Sequence, residues 1–378
     1  MSQFILIPDS FKGTMSSSEI CGIMRKEIAA HDADASILSI PVADGGEGSV
    51  DCFLEALGGE KITCRSVNPL SEEMESFYGL IDGGKTAVIE IAAAAGLPLI
   101  EDRRDPLRAS TYGVGALLLD ALDRGVTKLI VGLGGSATND GGCGAASAVG
   151  IRFYDKAGKA FVPAGGTLCD IDRIDASQGD SRLDKLEIVT MCDIDNPLYG
   201  PSGAAYVFGP QKGASPKIVE QLDAGLRHLS EIIRRDLGVD VAEIPGGGAA
   251  GGMGAGMVAF FGSSLQMGIE TVLDTVRFSE LLENTDMVFT GEGKIDGQSL
   301  RGKVVIGVAR RAKQKGVPVV AVVGDIGDNV EGAYDEGVSA VFSINRVAVD
   351  FRQARTRAKS DLALTMDNLM RFVDCLKK

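Results

Sequence analysis

The stretch KLIVGLGGSATNDGG, residues 128–142, begins with continuous apolar, mostly β-branched residues and then loses almost all its side chains. Leu129, Ile130 and Val131 read as a strand buried on both faces, as in a parallel sheet covered by helices. The eleven residues from 132 to 142 hold five glycines, with Ser136, Thr138, Asn139 and Asp140 among them. Packing alone does not call for four polar side chains in such a turn. Glycines let backbone N–H groups approach phosphate oxygens, and CGAASAVG (143–150) is small enough to start a helix whose positive end adds to the attraction. A tight strand-to-helix turn is the plainer alternative.

The same signature recurs along the chain. FILIPD (4–9), SILSIPVADGG (36–46), DMVFTGEG (286–293), VPVVAVVGD (317–325) and AVFSIN (340–345) each run from apolar residues towards polar or glycine-rich sequence. Helical patterns lie between several of them. The clearest is 215–238, with Ser215 as N-cap, Pro216 in the first turn, an apolar face through Leu222, Leu226 and Leu229, and Gly238 as the stop. The segment 351–376 has similar periodicity. Alternating strands and helices predict an α/β protein. At 378 residues the chain is long for one core. Both ends carry regular α/β units, whereas the middle is richer in irregular Gly, Asp and Pro segments. The expectation is a Rossmann/flavodoxin-like α/β domain with a mostly parallel sheet, built from 1–60 plus 280–378, and a second α/β domain inserted at 61–279.

Bulk composition narrows the function. Glycine accounts for 50 residues and is clustered rather than periodic, which excludes collagen-like and low-complexity readings. The net charge of −14 argues against a nucleic-acid or acidic-membrane partner. Seven cysteines without a CxxC pair read as reduced thiols of a cytoplasmic protein. With only His31 and His228 available, a His-rich metal site is excluded and a Ser-His-Asp triad is not expected. The N-terminus lacks the basic region and apolar length of a signal peptide, and no apolar run reaches membrane-span length.

Several glycine turns carry charges. PDSFKG (8–13) offers Asp9 and Ser10 to a hydroxylated ligand and Lys12 as a point charge. ADGGEG (43–48) presents Asp44 and Glu47. CDIDNPL (192–198) presents Asp193, Asp195 and Asn196. TGEGKIDGQSLRGK (290–303) sets Glu292, Asp296 and Gln298 among Lys294, Arg301 and Lys303, directly after a strong strand. Phosphoryl transfer needs cations for phosphates and carboxylates for Mg2+. Together the turns point to a small polyhydroxy or acid substrate, a phosphate-bearing cosubstrate and Mg2+. GGGAAG (246–251) satisfies GxGxxG but follows a poor strand, so it reads mainly as a loop into a close-packed helix.

These segments resemble the bacterial-type glycerate kinase family. The resemblance rests on PDSFKGT (8–14), PVADGGEGS (41–49), TYGVGAL (111–117), GLGGSATNDGG (132–142), CDIDNPL (192–198), FGPQKGA (208–214), PGGGAAGGMGAG (245–256) and TGEGKIDGQ (290–298), in that order. At 294 the family pattern carries Arg where this chain has Lys, a point charge in place of a forked donor. The resemblance implies two α/β domains with a cleft between them. It also implies transfer of the ATP γ-phosphoryl group to D-glycerate, giving 2-phosphoglycerate, by a monomer or homodimer. Phosphorylation at the 3-hydroxyl, an NAD-dependent glycerate oxidoreductase resting on GGGAAG, and a non-catalytic sugar-acid sensor are the alternatives.

On that reading, Gly134, Gly135, Ser136, Thr138, Asn139 and Glu292 bind ATP. Asp9, Ser10, Asp44, Glu47 and Arg301 bind glycerate. Lys12 and Lys294 neutralise charge, and Arg301 adds to them. Asp193 and Asp296 are the leading proton acceptors for the attacking hydroxyl. Asp140, Asp193 and Glu292 are the expected Mg2+ ligands.

Overall fold

The computed structural model describes residues 2–43, 45–297 and 299–376. The chain divides into two compact units, Met1–Ala43 with Ile269–Lys378, and Asp44–Gly268. The sequence borders at 60/61 and 279/280 differ from this division for identifiable reasons. The helix Ser49–Leu57 packs on the strands Glu73–Ile81 and Thr86–Glu90 of the inserted unit. Ile269 packs so closely on Gly307 that a Cβ there would lie 2.8 Å from its side chain.

The terminal unit is built on a five-stranded parallel sheet. Across the sheet the strands are Val338–Ser343, Val319–Val323, Met287–Gly291, Gln3–Pro8 and Ser36–Ser39. Numbered along the chain, this is the 2-1-3-4-5 order of flavodoxin-like sheets, whose ligand crevice lies between the first and third strands. Here those strands are Gln3–Pro8 and Met287–Gly291, paired from Phe4↔Met287 to Pro8↔Gly291. Their continuous apolar sequence is explained by burial on both sides. One side packs on the helices Ser17–His31 and Phe351–Leu376 through Leu6, Met24, Ile28, Phe289, Leu362 and Met366. Ser16 and Glu19 form a capping box at the start of the first of these helices.

The inserted unit carries a six-stranded mixed sheet, ordered Ser264–Gln266, Glu187–Met191, Lys128–Gly132, Thr86–Glu90, Glu73–Ile81, Glu60–Val67. The first four strands are parallel and the last two join antiparallel. Leu129, Ile130 and Val131 are fully buried at its centre. The helix Pro216–Leu237 forms as its sequence predicts, with Ser215 accepting from the Ile218 N–H and Gly238 at φ +73° ending it. Among the described residues, no helix is long and apolar enough to cross a membrane.

His31 ties the helices Ser17–His31 and Phe351–Leu376 together. Its Nε2 lies 2.9 Å from Asp367 Oδ1 and its Nδ1 3.1 Å from Asp374 Oδ2. The Asp367 bond is the main cause that raises its pKa above 6.5, against the opposing effect of burial. The pairing is therefore fully stabilising below about pH 6.5, while both carboxylates are ionised, and fades as pH rises through the raised value. His31→Gln is expected to lower the urea midpoint more at pH 6 than at pH 9. Equal losses at both values would show that the imidazolium charge contributes nothing.

Candidate active site

Three parallel strands of the inserted unit end side by side, with Glu90 opposite Gly132 and Gly132 opposite Met191. The residues that follow them open a cavity of about 520 Å3. Its lining includes Ala92, Gly134, Gly135 and Ser136, Cys192 to Ile194, Phe208, Gln211 and Lys212, Ala249 and Ala250, and Glu47. Ligands of open α/β sheets bind at this end of the strands. Five of the segments that carry the family resemblance thus meet at one cavity.

The glycines of the 132–142 loop do different jobs. Gly134 donates its N–H to the Gly45 carbonyl at 2.9 Å. A Cβ on Gly134 would lie 2.4 Å from the Gly46 Cα, so it is glycine because two backbones touch there. Gly135 differs. Its φ is +75°, and a Cβ would meet only the Ala92 Cβ, at 3.3 Å. It also lines the cavity, which makes it the residue of this loop best suited to admit a ligand to the backbone.

Asp140 was expected among the metal ligands, and the structure gives it another task. It is fully buried, and its carboxylate accepts from the Thr111 N–H and hydroxyl at 2.8 and 2.9 Å, and from the Gly142 and Gly144 N–H groups at 3.2 Å each. Burial raises its pKa and these four donors oppose the rise. A carboxylate so enclosed braces the loop onto the helix start rather than facing a cation. Thr138 and Asn139 are also fully buried and are not among the cavity-lining residues. Thr138 Oγ1 and both Asn139 amide atoms have no hydrogen-bond partner among the described residues.

Lys212 is the residue that sequence reasoning missed. FGPQKGA was quoted for its resemblance, but its lysine received no role. The segment is a connector between the helices Ala204–Phe208 and Pro216–Leu237, with a single turn at Pro210–Lys212 and a left-handed Gly213. Lys212 is 2% exposed. Its Nζ donates to Ser136 Oγ at 2.9 Å and to the Thr138 carbonyl at 2.7 Å. Burial lowers its pKa to about 7, and Asp140 opposes that fall. The sequence signal was available: a lysine between Pro and Gly in a short connector is poorly explained by solvation alone.

Asp193 and Glu47 are exposed carboxylates on the cavity lining. Asp193 Oδ1 accepts from the Gly268 N–H at 2.6 Å. GGGAAG follows no strand, and Ala250, Gly251 and Gly252 are all left-handed, so the regular helix begins only at Met253. This is not the strand–turn–helix context of a dinucleotide fingerprint.

In the terminal unit, the crevice strands lead into Asp9–Lys12 and Glu292–Asp296. The Asp9 N–H donates to the Gly291 carbonyl at 2.8 Å, joining the two segments. Glu292, 4% exposed, accepts a short hydrogen bond from the Ser299 hydroxyl. Desolvation raises its pKa to about 7. Ser299 and Lys303 oppose the rise, and Asp9 and Asp296 add to it. Like Asp140, Glu292 is enclosed rather than open in the way the expected metal role requires. Lys294 and Asp296 face each other at 3.9 Å. Lys12 is exposed and lines a smaller cavity of about 220 Å3 with Asp325, Asn345 and Arg355. The structure therefore brings Asp9, Glu292 and Asp296 together in one unit, and Glu47, Gly134, Gly135, Ser136 and Asp193 in the other. Asp44, Gln298 and the side chain of Arg301 lie outside the described residues.

In the inserted unit a glycine loop and a buried lysine lie at the ends of parallel strands, and in the terminal unit carboxylates and a lysine follow the crevice strands; these are the residue types that the kinase class uses for phosphoryl transfer. The comparisons name the family. A profile of the Glycerate kinase family matches residues 4–374. The chain is 46% identical over 345 residues to a glycerate kinase of Halalkalibacterium halodurans, covering 91% of each. It is 43% identical over 343 residues to glycerate 2-kinase of Escherichia coli, covering 90% of each. A crystal structure from Salmonella typhimurium LT2, described provisionally as glycerate kinase 2, superposes with a TM-score of 0.88 at 40% identity, over 100% of this chain and 99% of that one. The chain belongs to the glycerate kinase family.

Two sets of substitutions test the site geometry. Gly134→Ala forces a methyl into backbone and is expected to lower thermal stability more than Gly135→Ala, which meets only the Ala92 methyl at 3.3 Å and bears a left-handed penalty of about 1–2 kcal/mol. A reversed order in melting temperatures would contradict the packing described. Glu292, with its folded pKa above the ordinary 4.5, destabilises the fold as pH rises from about 4.5 through 7. Glu292→Gln should therefore raise stability at pH 8 by an amount of order 1–3 kcal/mol and have little effect at pH 5. No gain at pH 8 would show that the carboxyl carries no burial penalty.

Proposed function

We propose that this chain transfers the γ-phosphoryl group of ATP to the 2-hydroxyl of D-glycerate. Membership of the family makes it an ATP-dependent glycerate kinase. The 2-position draws on the relative named glycerate 2-kinase. The observation that carries the reading is the convergence of five family segments on one cavity at the ends of parallel strands. A volume of about 520 Å3 is of the size that takes a nucleotide-sized ligand. In this reading Gly135 and Ser136 donate to ATP phosphates, while Gly134, its N–H held by the Gly45 carbonyl, fixes the loop that presents them. Asp9, Ser10 and Lys12, at the crevice of the terminal unit, serve the hydroxyl groups and carboxylate of glycerate.

The transition state is loose and asks mainly for alignment and charge neutralisation. Lys12 and Lys294 offset the charge on the transferred group. Asp193 and Asp296 are the proton acceptors proposed for the attacking 2-hydroxyl. Mg2+, when bound, neutralises charge on the phosphates. Among the described residues, no group of three or more His, Cys, Asp or Glu is arranged to cage a metal. Mg2+ needs no such cage, since it takes one or two carboxylates and otherwise phosphates and water. Glu47, exposed on the cavity lining, would hold it, joined by Asp193 where Asp296 is the proton acceptor. A cytoplasmic setting suits seven cysteines with no CxxC pair.

The test is turnover with ATP, Mg2+ and D-glycerate, with the phosphate position of the product read by 31P NMR. The expected product is 2-phosphoglycerate. A 3-phosphate would overturn the regiochemistry, and no phosphorylated product would overturn the activity. Asp193→Asn and Asp296→Asn separate the proton acceptors: the residue that serves should lose about 100-fold or more in kcat. Near-normal turnover in both would remove both from that role.

A further inference from the structure

Lys212 stands apart from the lysines discussed so far. It is almost fully buried, it lines the cavity of the inserted unit, and two of its three N–H donors hold the glycine loop at Ser136 and Thr138. A buried ammonium is costly unless it is paired. The paired acceptors here are a hydroxyl and a carbonyl, neither of them charged. Asp140 exerts an attractive field, but its carboxylate is committed to Thr111, Gly142 and Gly144. The other charged groups around it are Glu47 and Asp193 on the cavity lining and Arg104, whose Nη1 donates to the Gln211 carbonyl at 3.1 Å. Among the described residues no anion is hydrogen-bonded to Lys212.

We propose that Lys212 is a phosphate-binding residue of this cavity, acting with Gly135 and Ser136 on a phosphate oxygen of the nucleotide. This deepens the reading that the cavity takes ATP, and rests on it. The apolar walls, including Leu97, Pro98 and Phe208, favour a nucleotide over the much smaller glycerate as the source of the anion. Lys212 and Ser136 reach the same point of the lining from opposite sequence directions, so one oxygen can accept from both. Lys is suited to this as a compact point charge on a mobile stem.

The pairing has a proton consequence. Burial holds the amine near pKa 7, so above that value it is mostly neutral in the empty cavity. An arriving phosphate favours the charged form and draws in a proton. At pH 8 ATP binding should therefore take up protons, and its affinity should fall as pH rises from about 7 to 9.

Isothermal titration calorimetry of the full chain reads this directly. ATP and D-glycerate are titrated separately at pH 8, each in two buffers of different ionisation enthalpy. The expected result is proton uptake with ATP and none with D-glycerate. Lys212→Met should abolish the uptake and weaken ATP binding by about tenfold or more. Lys212→Arg remains charged and should bind ATP without uptake. Absence of uptake in the unaltered protein, uptake with D-glycerate instead of ATP, or ATP affinity within about twofold in a folded Lys212→Met each overturns the proposal. The first two readings need no variant, so a folding failure does not blunt the test. Turnover of the unaltered protein, measured alongside, keeps this outcome separate from that of the kinase reading itself.

Discussion

The inserted unit depends on places where one backbone lies directly on another. Gly134 meets Gly46, Gly132 meets the Gly45 carbonyl, and Gly251 meets Thr138, in each case with a would-be Cβ 2.4 Å or less from backbone. These contacts dock the loops that follow separate strands into one surface at the sheet end. A single methyl at any of them has to be relieved by moving a main chain, because no flexible side chain can give way. The cavity is therefore a property of several loops at once.

Charge is placed on that scaffold with equal economy. Asp140 and Lys212 are both buried, and each acts on the same loop from a different element. Asp140 gathers donors from residues 111, 142 and 144 and fixes where the helix Cys143–Ala148 starts. Lys212 holds the preceding residues through Ser136 and Thr138. A carboxylate fully hydrogen-bonded by the protein is a structural element. An ammonium bonded only to neutral acceptors retains most of its demand for an anion. The difference in partners, not in burial, separates the two roles.

Much of the fold was legible because the parallel strands are continuous apolar runs: Lys128–Gly132, Met287–Gly291 and Val319–Val323 fall within segments read as strands, and Gln3–Pro8 begins one residue before its segment. The hairpin Glu60–Val67 with Glu73–Ile81 was passed over. It faces solvent in part and alternates, with Ile62 and Ser66 buried between exposed Lys61, Thr63 and Arg65, a weaker signal than a continuous run. The candidate site divided in the same way. Motif residues at strand ends, such as Gly135, Ser136 and Asp193, could be found from position alone. The task of Asp140 could not, because its partner Thr111 is 29 residues away. Nor could that of Lys212, whose burial depends on how a short connector folds back over the loop.

The two units share one electrostatic device with opposite sign. In the terminal unit burial raises Glu292 to about 7; in the inserted unit burial lowers Lys212 to about 7. In each case desolvation disfavours the charged form, so near neutral pH both sites hold less charge than their formal composition states. An open site with permanent charges would order water strongly, and that water would have to be displaced before a ligand could bind. A buried group that becomes charged only when a partner arrives keeps its field for the bound state, where low dielectric makes each charge count most, and this is the behaviour proposed for Lys212. The same burial makes both groups sensitive to small shifts in pH around 7, so the activity profile should report the two loops that enclose them.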